Sequence, residues 1–456
     1  MFIDGLIYAG ISNNMANGIG SFWNPEVINF HKFHYLDGSV FYEHPPLMFW
    51  LESLFFRVVG DGFIVERIFC FIVLVTNATL IILIFKLFSK RNQFHLFSWL
   101  PVLLWNTFPE LIQKMPANLL DSTMSVFVLL AAYFIVLGLQ RKGFFYYIAG
   151  GFCIYLAFLT KGPVGLFPLI IPVIYYFVYS FKLPVRTFLP GQLFVLLSFS
   201  TIFFLVMLHD EARNFLRVYL TNQVFASLAG EREKADTFYN HFSLIIKLLR
   251  QLAPLILILG ALLLANIKIK IFNHKLVFKN AIFFLVIGLT ASLPIALSSK
   301  HHSFYLIPSF PFYALSVATF ITDNLEFSKV TGLIPGVKIG RVIQTILYIG
   351  LGSLLIYSIS IYGRLDPRER ILSDLMKYKD LVPIKSEIGV CETYYNDAKF
   401  CAYHERYMMA DLRNGYEESE IVVVNPGYVG DSNKLNIDFV KISADTKEFH
   451  LYRRRE

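Results

Sequence analysis

Asp4 opens the run "IDGLIYAGISNNMANG", and Glu43 and His44 stand side by side ahead of two prolines in "FYEHPPLMFWLESLFF". Asp121 lies in "NLLDSTMSVF", Lys161 in "LTKGPVG", and Lys300, His301, His302 and Tyr305 follow one another in "SSKHHSFY". An ionisable group near lipid costs about 2.5–3.5 kcal/mol at the bilayer centre and less at the interface, so it generally has a partner or a task. Carboxylates can take the proton of an acceptor hydroxyl, and cations can stabilise a departing phosphate. Acids and cations at the ends of spans therefore suit transfer of a group from a lipid phosphate. A divalent ion held by carboxylates could assist by gripping phosphate oxygens, and a sugar carbon would pass through an oxocarbenium-like state.

Each residue also has an ordinary use. Asp4 and Glu43 could cap helices, and Asp121 could be a solvated acid at a span end. Lys161 could snorkel to headgroups from its turn, and "SSKHHSFY" could be an interfacial loop beside anionic lipid. His31, His34 and His241 read as plain loop residues.

The elements that must hold these groups follow from composition. Of 456 residues 55% are hydrophobic and 16% aromatic, too apolar for an ordinary soluble domain. The net charge of +8 would suit a nucleic-acid binder, but the positions of the basic residues give it a better explanation in a membrane protein. Apolar windows long enough to cross about 30 Å of hydrocarbon fall near 68–88, 94–109, 118–139, 143–160 and 163–181. Further windows fall near 187–208, 244–266, 281–298, 304–322 and 342–362. The sequence thus predicts a polytopic α-helical membrane protein of about ten spans.

Alternate connections carry the basic residues: "KLFSKR", "QRKG", "KLPVR", "NIKIKIFNHKLVFK" and "SKVTGLIPGVKIGR". The short opposite connections hold only Lys114, Lys161 and Lys300. The positive-inside rule then puts residues 1–67, the 209–241 loop and everything after Tyr362 on the outer face. An outer segment starting at Met1 has nothing to carry it across, which predicts a first span missing from the N-terminus.

Two interfacial helices are expected before the first span. One has Asp4 as N-cap, apolar residues at Ile3, Ile7, Ile11 and Met15, and Asn17-Gly18 as stop. The other starts at Pro45-Pro46, turns Leu47, Leu51, Leu54, Phe55 and Val58 to one face, and ends at Gly60. Glu43 and His44 then sit at a helix N-terminus, where backbone N–H groups favour anions.

Three regions result: an outer-face segment 1–67, a transmembrane bundle 68–362 and a small α/β domain 363–456. In the last, a helix in "DPRERILSDLMKYK" precedes strands in "EIVVVNPG", "NIDFVKIS" and "EFHLYRR". Cys391 and Cys401 suit a disulfide or two free thiols equally, while Cys70 and Cys153 read as small apolar fillers.

The segments "IDGLIYAGISNNMANG", "FYEHPPLMFWLESLFFRVVGD", "VERI" and "KHHSFYLIPSFPFYAL" together resemble bacterial membrane glycosyltransferases of the GT-C fold. These are related to the aminoarabinose transferases of lipid A and the protein O-mannosyltransferases. The resemblance spans roughly residues 1–362. It implies a GT-C-like bundle with a polyprenyl-phosphate-linked sugar as donor and a lipid, glycan or protein as acceptor, working on the periplasmic side of a bacterial inner membrane. Asp4 would be the base, and Glu43 would match an acid tied in relatives to a metal ion or the active-site network. Asp121 would match a further acid. His44, Lys161, Lys300, His301, His302 and Tyr305 would lie near the donor phosphate.

Two departures stand out. Gly5 follows Asp4 where many relatives carry Glu, and "YLTNQVFASLAGE" has no histidine where aminoarabinose transferases can supply a metal ligand. A transporter or flippase of lipid-linked sugars is the alternative, but it would need charges along a path through the bilayer. A scaffold acting through the C-terminal domain would leave the outer-face acids unexplained.

Overall fold

The computed structural model describes residues 2–29, 39–90, 97–181, 184–185, 188–229, 239–297, 302–326 and 369–425, together with 435, 438–442, 446–455 and positions 349, 353, 356 and 360. The chain forms two compact units. One comprises residues 1–267 and 274–324, the other 268–273 and 325–456.

Six helical stretches among the described residues are long and apolar enough to cross a membrane: Val65–Phe88, Leu120–Arg141, Phe144–Ser180, Leu189–Met207, Ser243–Lys268 and Ser303–Asn324. The third is not one rod. Helix Phe144–Lys161 ends where Gly162 turns with φ +74°, and a Cβ on Gly165 would lie 2.8 Å from the Ala157 carbonyl carbon. Eight residues along a straight helix would be about 12 Å apart, so the chain folds back. The windows 143–160 and 163–181 are thus two separate arms.

The window 94–109 behaves differently. Its described part holds helix Leu100–Trp105, six residues and about 9 Å long, and a new short helix, Pro109–Lys114, begins at a proline. That piece is too short to cross the hydrocarbon. The window 342–362 lies outside the described residues except for positions 349, 353, 356 and 360.

We label the helices around the first acids α1 (Ile3–Ala16), α2 (Leu47–Val59), α3 (Val65–Phe88), α4 (Leu120–Arg141) and α5 (Phe144–Lys161). The α4 and α5 helices are antiparallel neighbours joined at Lys142-Gly143. Residues at the start of α4 therefore meet residues at the end of α5.

α1 differs from expectation in two ways. Its N-cap is Phe2, which leaves Asp4 in the first turn. It is also buried from Gly5 to Met15 except at Ile7, rather than lying on a surface. Small residues explain this: a Cβ on Gly5 would fall 1.8 Å from the Ala117 carbonyl oxygen, so only glycine lets this backbone approach so closely.

α2 ends at Gly60 as its sequence demands, with φ +93°. Its inward face, however, is Leu47, Met48, Phe49, Glu52, Ser53 and Phe56, and Val58 is 86% exposed. The predicted stripe is rotated, which brings Glu52 inward.

The second unit carries a five-stranded sheet in the order β2-β1-β3-β5-β4: β1 (Glu387–Val390), β2 (Asp411–Asn414), β3 (Ile421–Val424), β4 (Phe439–Lys441) and β5 (His450–Arg454). β1 pairs in parallel with β2 and β3, and β5 runs antiparallel to β3 and β4. The expected strands in "EIVVVNPG", "NIDFVKIS" and "EFHLYRR" are β3, β4 and β5. Helix Arg370–Tyr378 also lies where expected, whereas the 362/363 boundary falls outside the described residues. Cys391 and Cys401 are both buried free thiols.

Buried beside this sheet, the ring of His404 in helix Ala398–Met408 meets the Tyr378 hydroxyl, and its Nδ1 lies 2.8 Å from the Phe400 carbonyl. Burial pushes His404 down to about 4, against the opposing pull of the Phe400 hydrogen bond. The unfolded chain binds the proton near pH 6.5 and the folded domain resists it. Stability is therefore full above pH 6.5 and is lost as pH falls toward 4, by about 3 kcal/mol. Hydrogen exchange at Val422 and Val423, corrected for intrinsic rate, should accelerate steeply over that interval, and His404→Asn should remove this part of the slope.

Candidate active site

Asp121 occupies the first turn of α4, Lys161 the last turn of α5, and their side chains form an ion pair that is only 1% and 9% exposed. The second carboxylate oxygen, Asp121 Oδ1, is buried with no hydrogen-bond partner among the described residues. The helix pairing alone brings these residues together, since 40 positions separate them in sequence.

Asp4, in the first turn of α1, acts electrostatically on both members of the pair. One helical turn further, Tyr8 is buried. Burial pushes its hydroxyl well above the ordinary tyrosine range, and the nearby charges of Asp4, Tyr305, Asp121 and Glu43 push it further. Tyr8 consequently keeps its proton beside these acids. Its ring packs edge-on to the His44 imidazole at 5.8 Å and tilts against Phe49 at 5.5 Å, which ties the Glu43-His44 loop to α1.

The aromatic residues after His302 complete the cluster. Lys161 Nζ sits 4.1 Å from the Tyr305 ring centroid and 5.6 Å from that of Phe304. The His302 ring stacks on Phe304 at 5.1 Å and meets Tyr305 edge-on at 5.4 Å. Phe304 also lies edge-on to Phe2, whose ring has Lys114 Nζ 3.9 Å from its centroid. Such contacts favour cations held away from water.

Beside these groups opens a cavity of about 790 Å³, within the range of small-molecule pockets. Its polar lining includes Glu43, His44, Lys161 and Tyr305. The rest is mainly apolar, for example Leu166, Phe167, Ile170, Leu289 and Ile295. The chemistry of the cavity is that of a polar head joined to a greasy tail.

Of the residues singled out from sequence, the structure gathers Asp4, Glu43, His44, Asp121, Lys161 and Tyr305, with His302 at the edge through its aromatic contacts. Lys300 and His301 lie outside the described residues, as do His31 and His34. Glu43 was expected to bind metal if any residue did. Among the described residues no three His, Cys, Asp or Glu side chains are grouped to hold an ion.

Sequence reasoning missed Tyr8, Tyr219 and Gln223. Tyr8 was within reach, since it stands four residues after Asp4 and so shares its helical face. Tyr219 and Gln223 line the cavity from the segment after Asp210, where polar residues had suggested only a loop.

Tyr219 also braces Lys161, because its hydroxyl donates to the Lys161 carbonyl at 3.4 Å. Gly162 makes room for it: its φ of +74° and ψ of −147° suit glycine alone, and a Cβ there would lie 1.9 Å from the Tyr219 hydroxyl oxygen. Gly162→Ala should cost about 1–3 kcal/mol, read as a lower melting temperature in detergent. Adding Tyr219→Phe removes the clashing oxygen and should recover part of the loss, while strain in the backbone remains.

Among known proteins, the family described as dolichyl-phosphate-mannose-protein mannosyltransferase matches residues 43–208, from Glu43 past Asp121 and Lys161. An uncharacterised protein of Aquifex aeolicus (strain VF5) is 24% identical over 294 residues, 64% of this chain and 63% of its own length. The fold is shared with ArnT from Cupriavidus metallidurans bound to undecaprenyl phosphate, at a TM-score of 0.62 and 14% identity, covering 98% of this chain and 93% of that one. The apo form of that protein gives a TM-score of 0.59, covering 98% and 92%.

Proposed function

We propose that this chain, a multi-pass membrane protein of the GT-C fold related to ArnT and the protein mannosyltransferases, is a glycosyltransferase that moves a sugar from a polyprenyl phosphate to an acceptor hydroxyl. The observation that carries the proposal is the buried Asp121–Lys161 pair, with Asp4 beside it, at the polar end of a cavity otherwise lined by apolar side chains. An aliphatic tail is at home in that cavity, and its phosphate would reach Lys161 and His44. The undecaprenyl phosphate named with ArnT is the same kind of ligand.

The chemistry balances with this chain's own groups. Asp4 takes the proton of the acceptor hydroxyl, whose oxygen forms the new bond to the sugar carbon. The bond from that carbon to the donor phosphate oxygen breaks, and the electron pair leaves with the polyprenyl phosphate. Lys161, drawn from Asp121 toward the phosphate, stabilises the charge that develops there. Tyr8 stays protonated beside the carboxylates. The buried rings exclude water, which would otherwise compete as acceptor.

The site would face the periplasm of a bacterial inner membrane, following the polarity of the basic connections. A lipid, a glycan or a protein could each supply the hydroxyl. Mass spectrometry of envelope glycolipids and glycoproteins from cells lacking the protein should find one sugar missing and its lipid-linked donor accumulated. An unchanged envelope, or sugar crossing liposome membranes without any new bond, would overturn the assignment.

A further inference from the structure

We infer that Glu52 is a positioning residue, which through Asn118 sets Asp4 and Asp121 in register with each other. This rests on the transferase reading above. Glu52 lies on the inward face of α2 and is fully buried. One carboxylate oxygen, Oε2, accepts from the Ser12 hydroxyl at 2.7 Å, and Oε1 accepts from Asn118 Nδ2 at 2.8 Å. Ser12 belongs to α1, the helix that carries Asp4.

Asn118 is the pivot. The same Nδ2 donates to the Gly5 carbonyl at 3.2 Å, one residue from Asp4, and Oδ1 accepts from the Cys70 thiol at 3.8 Å. Asn118 sits at φ +57° and ψ +49° where the short turn Met115–Ala117 ends, three residues before Asp121. Asparagine is among the few residues at ease there. The Gly5 backbone already rests on this turn, as the Ala117 oxygen leaves no room for a Cβ. One buried carboxylate thus ties α1 at Ser12 to Asn118, and Asn118 ties the start of α1 at Gly5 to the turn that leads into α4.

The consequence is mechanical. Asp4 and Asp121 stand on different helices, and a small misplacement of reacting groups is enough to lose much of a rate. Rotamers locked by hydrogen bonds behind a site hold such geometry. Cys70 is therefore part of this network and not merely a filler. Glu52 is not among the residues that line the cavity, so its effect on the site passes through its partners.

Lipid extracted from cells lacking the protein contains both unspent donor and unmodified acceptor, so it serves as substrate without either being identified. Wild type, Glu52→Leu, Glu52→Gln and Asn118→Gly would be reconstituted in liposomes of that extract, and product would be followed while the extract is titrated. Glu52→Leu should lower the maximal rate at least thirtyfold with apparent KM within threefold. Asn118→Gly keeps the backbone conformation but loses the amide, and it should behave alike. In Glu52→Gln the amide oxygen still accepts from Asn118 and its NH₂ can donate to Ser12, so the rate should stay within threefold of wild type. Hydrogen exchange over residues 119–123 should accelerate at least tenfold in the first two variants and not in the third.

Near-normal rates in Glu52→Leu and Asn118→Gly would overturn the inference, as would equal damage in Glu52→Gln or a loss expressed in KM alone. If wild type makes no product, it is the transferase assignment that fails. Exchange then judges the brace by itself, and unchanged protection in both variants refutes it.

Discussion

Asp4→Asn should lower sugar transfer by about 10²- to 10⁴-fold, the usual contribution of a general base, while the protein folds and still binds undecaprenyl phosphate. The substitution is isosteric, and the loss of a charge from the first turn of α1 costs only about 0.3–1 kcal/mol. Donor affinity should persist because the proposed phosphate contacts, Lys161 and His44, and the apolar cavity wall are untouched. The change therefore separates chemistry from binding. Proteoliposomes made with lipid from cells lacking the protein provide the rate, and retention of labelled undecaprenyl phosphate provides the affinity. A variant keeping more than about a tenth of the wild-type rate would remove Asp4 from the role. Should Asp121→Asn prove the more damaging to rate at equal stability, the base is Asp121, whose Oδ1 is buried with no hydrogen-bond partner from another residue among the described ones.

Much of this site could be read from the chain because charge in an apolar sequence is conspicuous. Asp121 and Lys161 stand at the two ends of an antiparallel hairpin, and the alternation of basic connections already put those ends together. Their direct pairing was not legible, since the sequence gives no rotation of one helix against another. Glu43 and His44 announced themselves through the prolines that follow, and Tyr305 through the cations before it.

What escaped notice did so for stateable reasons. Glu52 reads as a polar residue on the outward side of an amphipathic helix when Leu51, Leu54 and Phe55 are taken as the inner stripe. The structure buries Phe49, Glu52, Ser53 and Phe56 instead, because α1 packs there with small residues and brings its own hydroxyl, Ser12, to meet the carboxylate. Asn118 stands at the start of the apolar window 118–139 with nothing in the sequence to mark it, and its value lies in a left-handed backbone that no spacing rule reveals. In the second unit, β2 has the sequence Asp-Leu-Arg-Asn at a sheet edge, with little of the β-branched or aromatic character by which strands are recognised. β3, four buried aliphatic residues in a row, was plain.

The largest effect on stability should come from Lys161→Met. It strands the Asp121 carboxylate, 1% exposed, without its cation, and breaking one side of a buried pair costs about 3–5 kcal/mol. Removing both charges with Lys161→Met and Asp121→Leu should recover most of that, since well-packed apolar residues often replace a buried pair without loss. Recovery of the fold must not bring recovery of function. A hydrogen bond from a charged donor is worth about 1.5–3 kcal/mol, so the double variant should bind undecaprenyl phosphate about ten- to a hundredfold more weakly than wild type and transfer no sugar. Melting in detergent and lipid binding on the same samples give both quantities. Lys161 is a phosphate ligand if stability and affinity part company in the double variant, and a purely structural lysine if they return together; the cavity beside it would then need a different cation to hold a lipid phosphate.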